Sequence, residues 1–237
     1  MPARKEHLYV WRDLALPKRT GRLSKEDLQA LKTIAEWTRD FVAQSHPHLG
    51  RGGPVCPFVP PAIEQDTLWF AVEHINHLSA VQAAELMKQY KDLFLNLDPR
   101  VEEEPDKADK KTILVIFPDL PADKLGDYLA GIQRPLRDEF VREGLMLGEF
   151  HQLSQAQGIH NQEFRPLRSP IPMLTIRHMV STDWLFLSEN AEWAQAWFAR
   201  FHGGENPEVF LGHVLQLADA MRAMRPQGKE EPRAKTP

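Results

Sequence analysis

Cysteine is almost missing from this chain: 237 residues contain one, Cys56. A lone thiol forms no internal disulfide, so packing has to hold the fold, and the expected setting is a reducing cytoplasm. No apolar run approaches the roughly 20 residues that cross a bilayer. Met1 to His7 lacks the apolar core of an export signal, so no membrane partner is expected. Charge of one sign is also lacking. The formal balance is −4, without the basic excess that attracts polyanions, and nucleic acid is not an expected partner. No G-x-G-x-x-G and no G-x-x-x-x-G-K-[ST] occurs, which argues against a dinucleotide or P-loop fold. No fixed-period repeat is visible.

What is present is ordinary globular material, with proline gathered near positions 54–61, 166–172 and in the tail. Ser24 and Asp27 open a helix reaching about Gln44, and Ser79 with Gln82 form a capping box for a second ending near Leu97. Thr67–Glu73, Thr112–Phe117, Leu145–Phe150 and Met173–Val180 read as strands, the second being apolar enough for burial on both faces. Pro121 to Gly144 reads as helical, kinked or split at Pro135. Ser188 is the expected cap of a helix carrying Trp193, Trp197 and Phe201, and Asn206-Pro207 opens a last helix through about Met224. This order predicts an α+β fold, a layered sandwich with a mostly antiparallel four-stranded sheet packed by helices. The expected division is an N-terminal extension over 1–23, a single α+β domain over 24–226, and a disordered tail over 227–237.

Candidate chemistry concentrates in a few places. Cys56 precedes a proline in a loop that also holds His46, His48 and Arg51, a setting suited to a thiolate ligand or nucleophile as well as to an inert buried thiol. His46, His48 and Cys56, with His74 and His77 three apart, form a weaker zinc pattern, because the spacing is loose. Arg165 and Arg168 sit three apart between prolines and present guanidinium forks suited to carboxylates, or they are solvated surface charges. On the last strand, alternation puts His178 on the face of Leu174 and Ile176, and Arg177 on the other. Both cannot line one pocket without a bulge or twist. Glu149 and His151 share a face at another strand end, where a carboxylate could orient an imidazole for acid–base work. Trp69, Phe70, Trp184, Trp193, Trp197 and Phe201 would suit either a core or the walls around a flat cofactor.

The segments Gly53 to Phe58, Leu147 to His151, Phe164 to Pro170 and Ile176 to Met179 resemble a bacterial family described as a domain of unknown function, over about Leu28 to Phe201. More distantly, the proline-flanked Cys56 and the strand ending Ile116-Phe117-Pro118 resemble haem proteins of the YqcI/YcgG type. Phe164 to Pro170 departs from that type's own arginine-rich segment. The resemblance implies a haem-binding oxidoreductase, activating oxygen or peroxide to oxidise a small amine- or amino-acid-like substrate in specialised metabolism. The implied cofactor is haem b, with electrons from an external donor or from peroxide. In that reading Cys56, His178 or His151 ligates iron, Cys56 and His178 being the metal candidates. Arg165, Arg168 and Arg177 hold the cofactor or a substrate carboxylate, and Glu149, His151 and His178 are the catalytic candidates. Two alternatives stand beside it. One is a cysteine-nucleophile enzyme for a small acidic substrate, with His46, His48 or His151 as base. The other is a non-enzymatic haem-binding sensor or accessory protein.

Overall fold

The computed structural model describes residues 3–121, 124–188 and 190–203. Its helices are α1 (Pro17–Thr20), α2 (Lys25–Trp37), α3 (Val59–Glu64), α4 (Ala80–Asn96), α5 (Pro105–Ala108), α6 (Leu125–Arg142), α7 (Trp184–Leu187) and α8 (Ala191–His202). The strands are β1 (Leu68–Val72), β2 (Thr112–Ile116), β3 (Leu145–Phe150) and β4 (Met173–His178). They form one sheet in the order β1-β2-β4-β3. The β1–β2 pair is parallel; β2–β4 and β4–β3 are antiparallel. The α+β layout with a mostly antiparallel four-stranded sheet is therefore what the chain adopts.

The chain divides into two compact units, residues 1–197 and 198–237. Within the described part of the second, the Phe198 ring stacks on His202 and the Arg200 guanidinium lies over Phe201. The helix expected over Asn206–Met224 and the tail from Gln227 lie outside the described residues.

The strand alternation explains the layering. Ile113, Val115, Leu145, Leu147, Leu174 and Ile176 face one way and pack against Met87, Tyr90 and Phe94 of α4 and Leu129, Ile132, Leu136 and Phe140 of α6. Leu68, Phe70, Leu114, Ile116 and Met173 face the other way and pack against Leu31, Ile34 and Ala35 of α2 and Ala62 of α3. β2 is buried on both sides, as a central strand of aliphatic residues must be. Each such side chain contributes about 1.5–3 kcal/mol on burial. Residues before Ser24 join the core: Tyr9 packs in this second layer and pairs with Phe70 as an added bridge at the β1 edge, Leu8 packs in the first layer, and Val10 is buried.

Both capping expectations for α2 and α4 hold, with Ser24 accepting from the Asp27 N–H and Ser79 from the Gln82 N–H. Two details differ. α6 runs unbroken through Pro135. The proline withdraws one N–H from the helix ladder, but the apolar face from Leu125 to Val141 is buried along its whole length and outweighs that loss. The cap of α8 is Asn190, whose Oδ1 accepts from the N–H groups of Glu192 and Trp193. Ser188 instead ends α7, donating its N–H to the Trp184 carbonyl.

Candidate functional site

At its C-terminal end α2 widens into a turn of π-helix, Thr38–Val42. Such turns insert an extra residue into the spiral and re-aim the side chains that follow. Here the result is that Trp37 and Phe41 stack, with centroids 5.7 Å apart, and form one wall of a cleft. Phe150, from the end of β3, braces Trp37 edge-on. Phe41 also meets Phe164 and the ring of His46.

Two loops close on this aromatic wall. The His46 ring stacks on Phe164 at 4.7 Å. Asn161 donates its side-chain amide to the His48 carbonyl at 2.9 Å. Gly50 sits at φ +77°, and a Cβ there would come within 2.8 Å of the His160 carbonyl oxygen, so the approach needs glycine. The cleft between them has a volume of about 580 Å³ and is lined by Trp37, Phe41, His48, Asn161, Glu163, Phe164, Arg165 and Arg168.

The arginines are held from behind by backbone carbonyls. Arg165 donates to the Gln162 and Phe164 carbonyls. Arg168 donates its Nε–H to the carbonyl of buried Ser154 at 3.1 Å. Among the described residues no carboxylate forms an ion pair with either. The His46 Nδ1 accepts the N–H of His48 at 3.2 Å, so the neutral ring carries its proton on Nε2 and is a donor there.

The other expected residues fall elsewhere. Cys56 is half-buried on the α2 side of the sheet, its N–H bonded to the Val42 carbonyl, and it does not line the cleft. It is close enough to Arg177 to act on that residue's charge. That guanidinium is already engaged: it makes two 2.7 Å bonds to the carboxylate of buried Asp183 and a third bond to the His178 carbonyl. Burial works against its charge, but Asp183 and, more weakly, Cys56 hold its pKa above the usual arginine range. Arg177 thus pins the turn after β4 and leaves the cleft to Arg165 and Arg168.

His178 pairs in register with Leu145 and faces α4, its ring 4.9 Å from that of Phe94. The sheet lies between it and Cys56. The two candidates for one iron do not meet, and neither reaches the cleft. Glu149 also faces the α6 side, where burial raises its pKa against the opposing charges of Arg134 and Arg137. The His151 Nε2 lies 3.2 Å from Glu149, and burial lowers its pKa. The pair touches the cleft only indirectly, through the His151 N–H bonded to the Leu167 carbonyl. No three His, Cys, Asp or Glu side chains among the described residues converge to hold a metal, so the zinc pattern of His46, His48, Cys56, His74 and His77 is not assembled.

Of the aromatics expected around a flat ligand, Phe70 is core and Trp197 donates to the Val180 and Ser181 carbonyls. Trp37, Phe41, Phe164, Asn161 and Glu163 are the lining residues that sequence reasoning did not select. Trp37 and Phe41 fit the apolar spacing of a regular helix, and only the π turn separates them from that role.

Among the described residues no helix is long and apolar enough to cross a membrane. No curated protein and no solved structure matches the chain. A family model, described as a domain of unknown function (DUF6875), matches residues 31–209, and it is to this family that the chain belongs.

Proposed function

We propose that this protein binds a small, flat, carboxylate-bearing molecule in the cleft between the His46–Gly50 and His160–Arg168 loops. The observation that carries this reading is the pair of guanidiniums, Arg165 and Arg168, anchored by carbonyls, without carboxylate partners among the described residues, and facing an aromatic wall. Anchoring removes part of the entropy cost of ordering a long side chain before the ligand arrives. A free fork then gains a charge-assisted bond to a carboxylate. Trp37, Phe41 and Phe164 supply the stacking surface, and the His46 Nε2–H is a further donor beside it. Because the cleft is open, solvent screens these charges, and affinity comes from stacking and charge together.

The test is calorimetric titration with flat aromatic carboxylates. Binding is expected at low salt, weakening as salt rises, and R165Q with R168Q is expected to remove it. Undiminished binding in that double variant would refute the reading.

A second reading is a haem-binding oxidoreductase, oxidising an amine- or amino-acid-like substrate with electrons from an external donor or from peroxide. It is favoured by His48, the one imidazole on the cleft lining, on the same cleft as the two arginines. Of the lining residues, Arg165 and Arg168 would hold the propionates of haem b, Phe41 and Phe164 would pack its ring and His48 would face the iron, with the Glu163 carboxylate opposed to the dianion. Bound there, haem would supply oxygen or peroxide activation. Cys56 and His178 do not fit as its ligands, since they lie outside the cleft on opposite sides of the sheet. Expression with haem supplied should give a Soret band that shifts in His48→Ala and not in Cys56→Ala. Absence of the band removes the haem reading and leaves the carboxylate reading standing.

A further inference from the structure

We infer that the ligand of this cleft is dipolar, with a cationic group opposite its carboxylate, and that Glu163 selects for it. The inference rests on the carboxylate reading above and narrows its ligand class. Glu163 lines the same cleft as Arg165 and Arg168 and lies two and five residues from them in sequence. Yet among the described residues its carboxylate makes no ion pair with either.

The Glu163 N–H donates to Asn161 Oδ1 at 2.9 Å, and the Asn161 amide donates to the His48 carbonyl. The Glu163 backbone is thereby tied to the junction of the two loops. The arginines are tied instead to the Gln162, Phe164 and Ser154 carbonyls. Opposite charges share one cleft without a direct ion pair among the described residues. A molecule of one charge sign meets repulsion from one side of this arrangement; a molecule carrying both charges meets attraction from each. The rings of Trp37, Phe41 and Phe164 on the lining add an attraction for an ammonium or guanidinium that reaches an open ring face.

The same argument bears on haem. Its two propionates and flat neutral rim offer Glu163 no cation, so the carboxylate would oppose the dianion that the arginines attract. The cleft is in this view a substrate site for an amine-bearing carboxylate.

The experiment titrates the full-length protein at low ionic strength with the four aromatic amino acids (phenylalanine, tyrosine, tryptophan and histidine) and with the des-amino acid and decarboxylated amine of each. Ligand-observed NMR covers weak binders. At least one amino acid should bind on the order of tenfold more tightly than both of its matched partners, the gain one exposed ion pair and a cation–π contact allow. Glu163→Gln should erase that preference while leaving the des-amino acid bound as well or better. Because Glu163 is exposed, the substitution does not threaten the core. Des-amino acids binding as tightly as their amino acids throughout, or a preference that survives Glu163→Gln, would overturn this inference alone, provided R165Q with R168Q still abolishes binding. If no carboxylate binds, or binding survives the double arginine change, the carboxylate reading fails and the inference goes with it.

Discussion

The ring of His46 lies on the ring of Phe164, with centroids 4.7 Å apart and planes 26° from parallel. This stack joins two loops that no strand or helix connects. Phe164 is 8% exposed, so it is both the inner wall of the cleft and the pin between its rims. Phe164→Ala should destabilise the protein by about 2–4 kcal/mol, the cost of a truncated aromatic at a site able to relax in part. It should also abolish ligand binding. Urea denaturation and titration of the same sample check both.

Gly50 is the second point of closure. At φ +77°, with the His160 carbonyl against it, an alanine is strained twice, by the left-handed backbone and by the 2.8 Å approach. Gly50→Ala should cost about 1–3 kcal/mol and weaken binding by parting the loops. The neighbouring Gly52 has open space around it, and Gly52→Ala should change neither. Thermal unfolding of the pair separates the two cases.

Arg177 and Asp183 form a buried bidentate pair. Removing the cation strands a carboxylate that is 1% exposed, so Arg177→Met should cost about 3–5 kcal/mol. A lysine cannot reproduce the fork and should recover only part of the loss. Ligand binding in the Arg165–Arg168 cleft should persist in any Arg177 variant that remains folded, because the two guanidinium systems are separate.

Lys111 is buried and donates to the Leu97 and Pro99 carbonyls beside the Phe94 ring. Burial lowers its pKa to about 8, with Asp98 and Glu102 opposing. Its folded value lies below its unfolded value of 10.5, so the neutral amine is favoured on folding. The contribution is fully present above the unfolded pKa and is lost as pH falls through the folded one. Stability should therefore rise between about pH 8 and 10.5 relative to Lys111→Met, whose profile should be flatter in that window. At pH 7 the variant should still be less stable, by about 1–3 kcal/mol, because two carbonyls lose a donor.

Glu73 carries the opposite sign. Burial raises its pKa, against the bond donated by Tyr90 at 2.6 Å. A carboxyl whose folded pKa is raised contributes stability below its unfolded pKa and loses it as pH rises through the folded value. Glu73→Gln keeps an acceptor for Tyr90 and removes the buried charge. It should be more stable than the parent at neutral pH, with the gap closing toward pH 4. Denaturation curves across that range measure it.

The strands and caps were readable because they depend on neighbours in sequence. Thr112 to Ile116 is aliphatic at every position after the first, a short β-branched-rich run that suits a strand buried on both sides. Ser24 and Ser79 stand where the next turn offers free N–H groups. The alternation on β4 also correctly divided His178 from Arg177. Pro135 and Asn190 mark the limit of local preference, which carries neither the tertiary burial that keeps α6 whole nor the particular side chain that caps α8.

The residues alone determined the α+β class, the central position of β2 and the interest of Arg165 and Arg168, since alternation, capping and two guanidiniums three apart between prolines are short-range properties. Only the tertiary structure decided that Cys56 and His178 lie across the sheet from each other, that Arg177 is spent on Asp183, and that Trp37, Phe41 and Glu163 belong with the arginines. The physical reason is range. A ring stack and a loop crossing join residues over a hundred positions apart, which no spacing along the chain encodes.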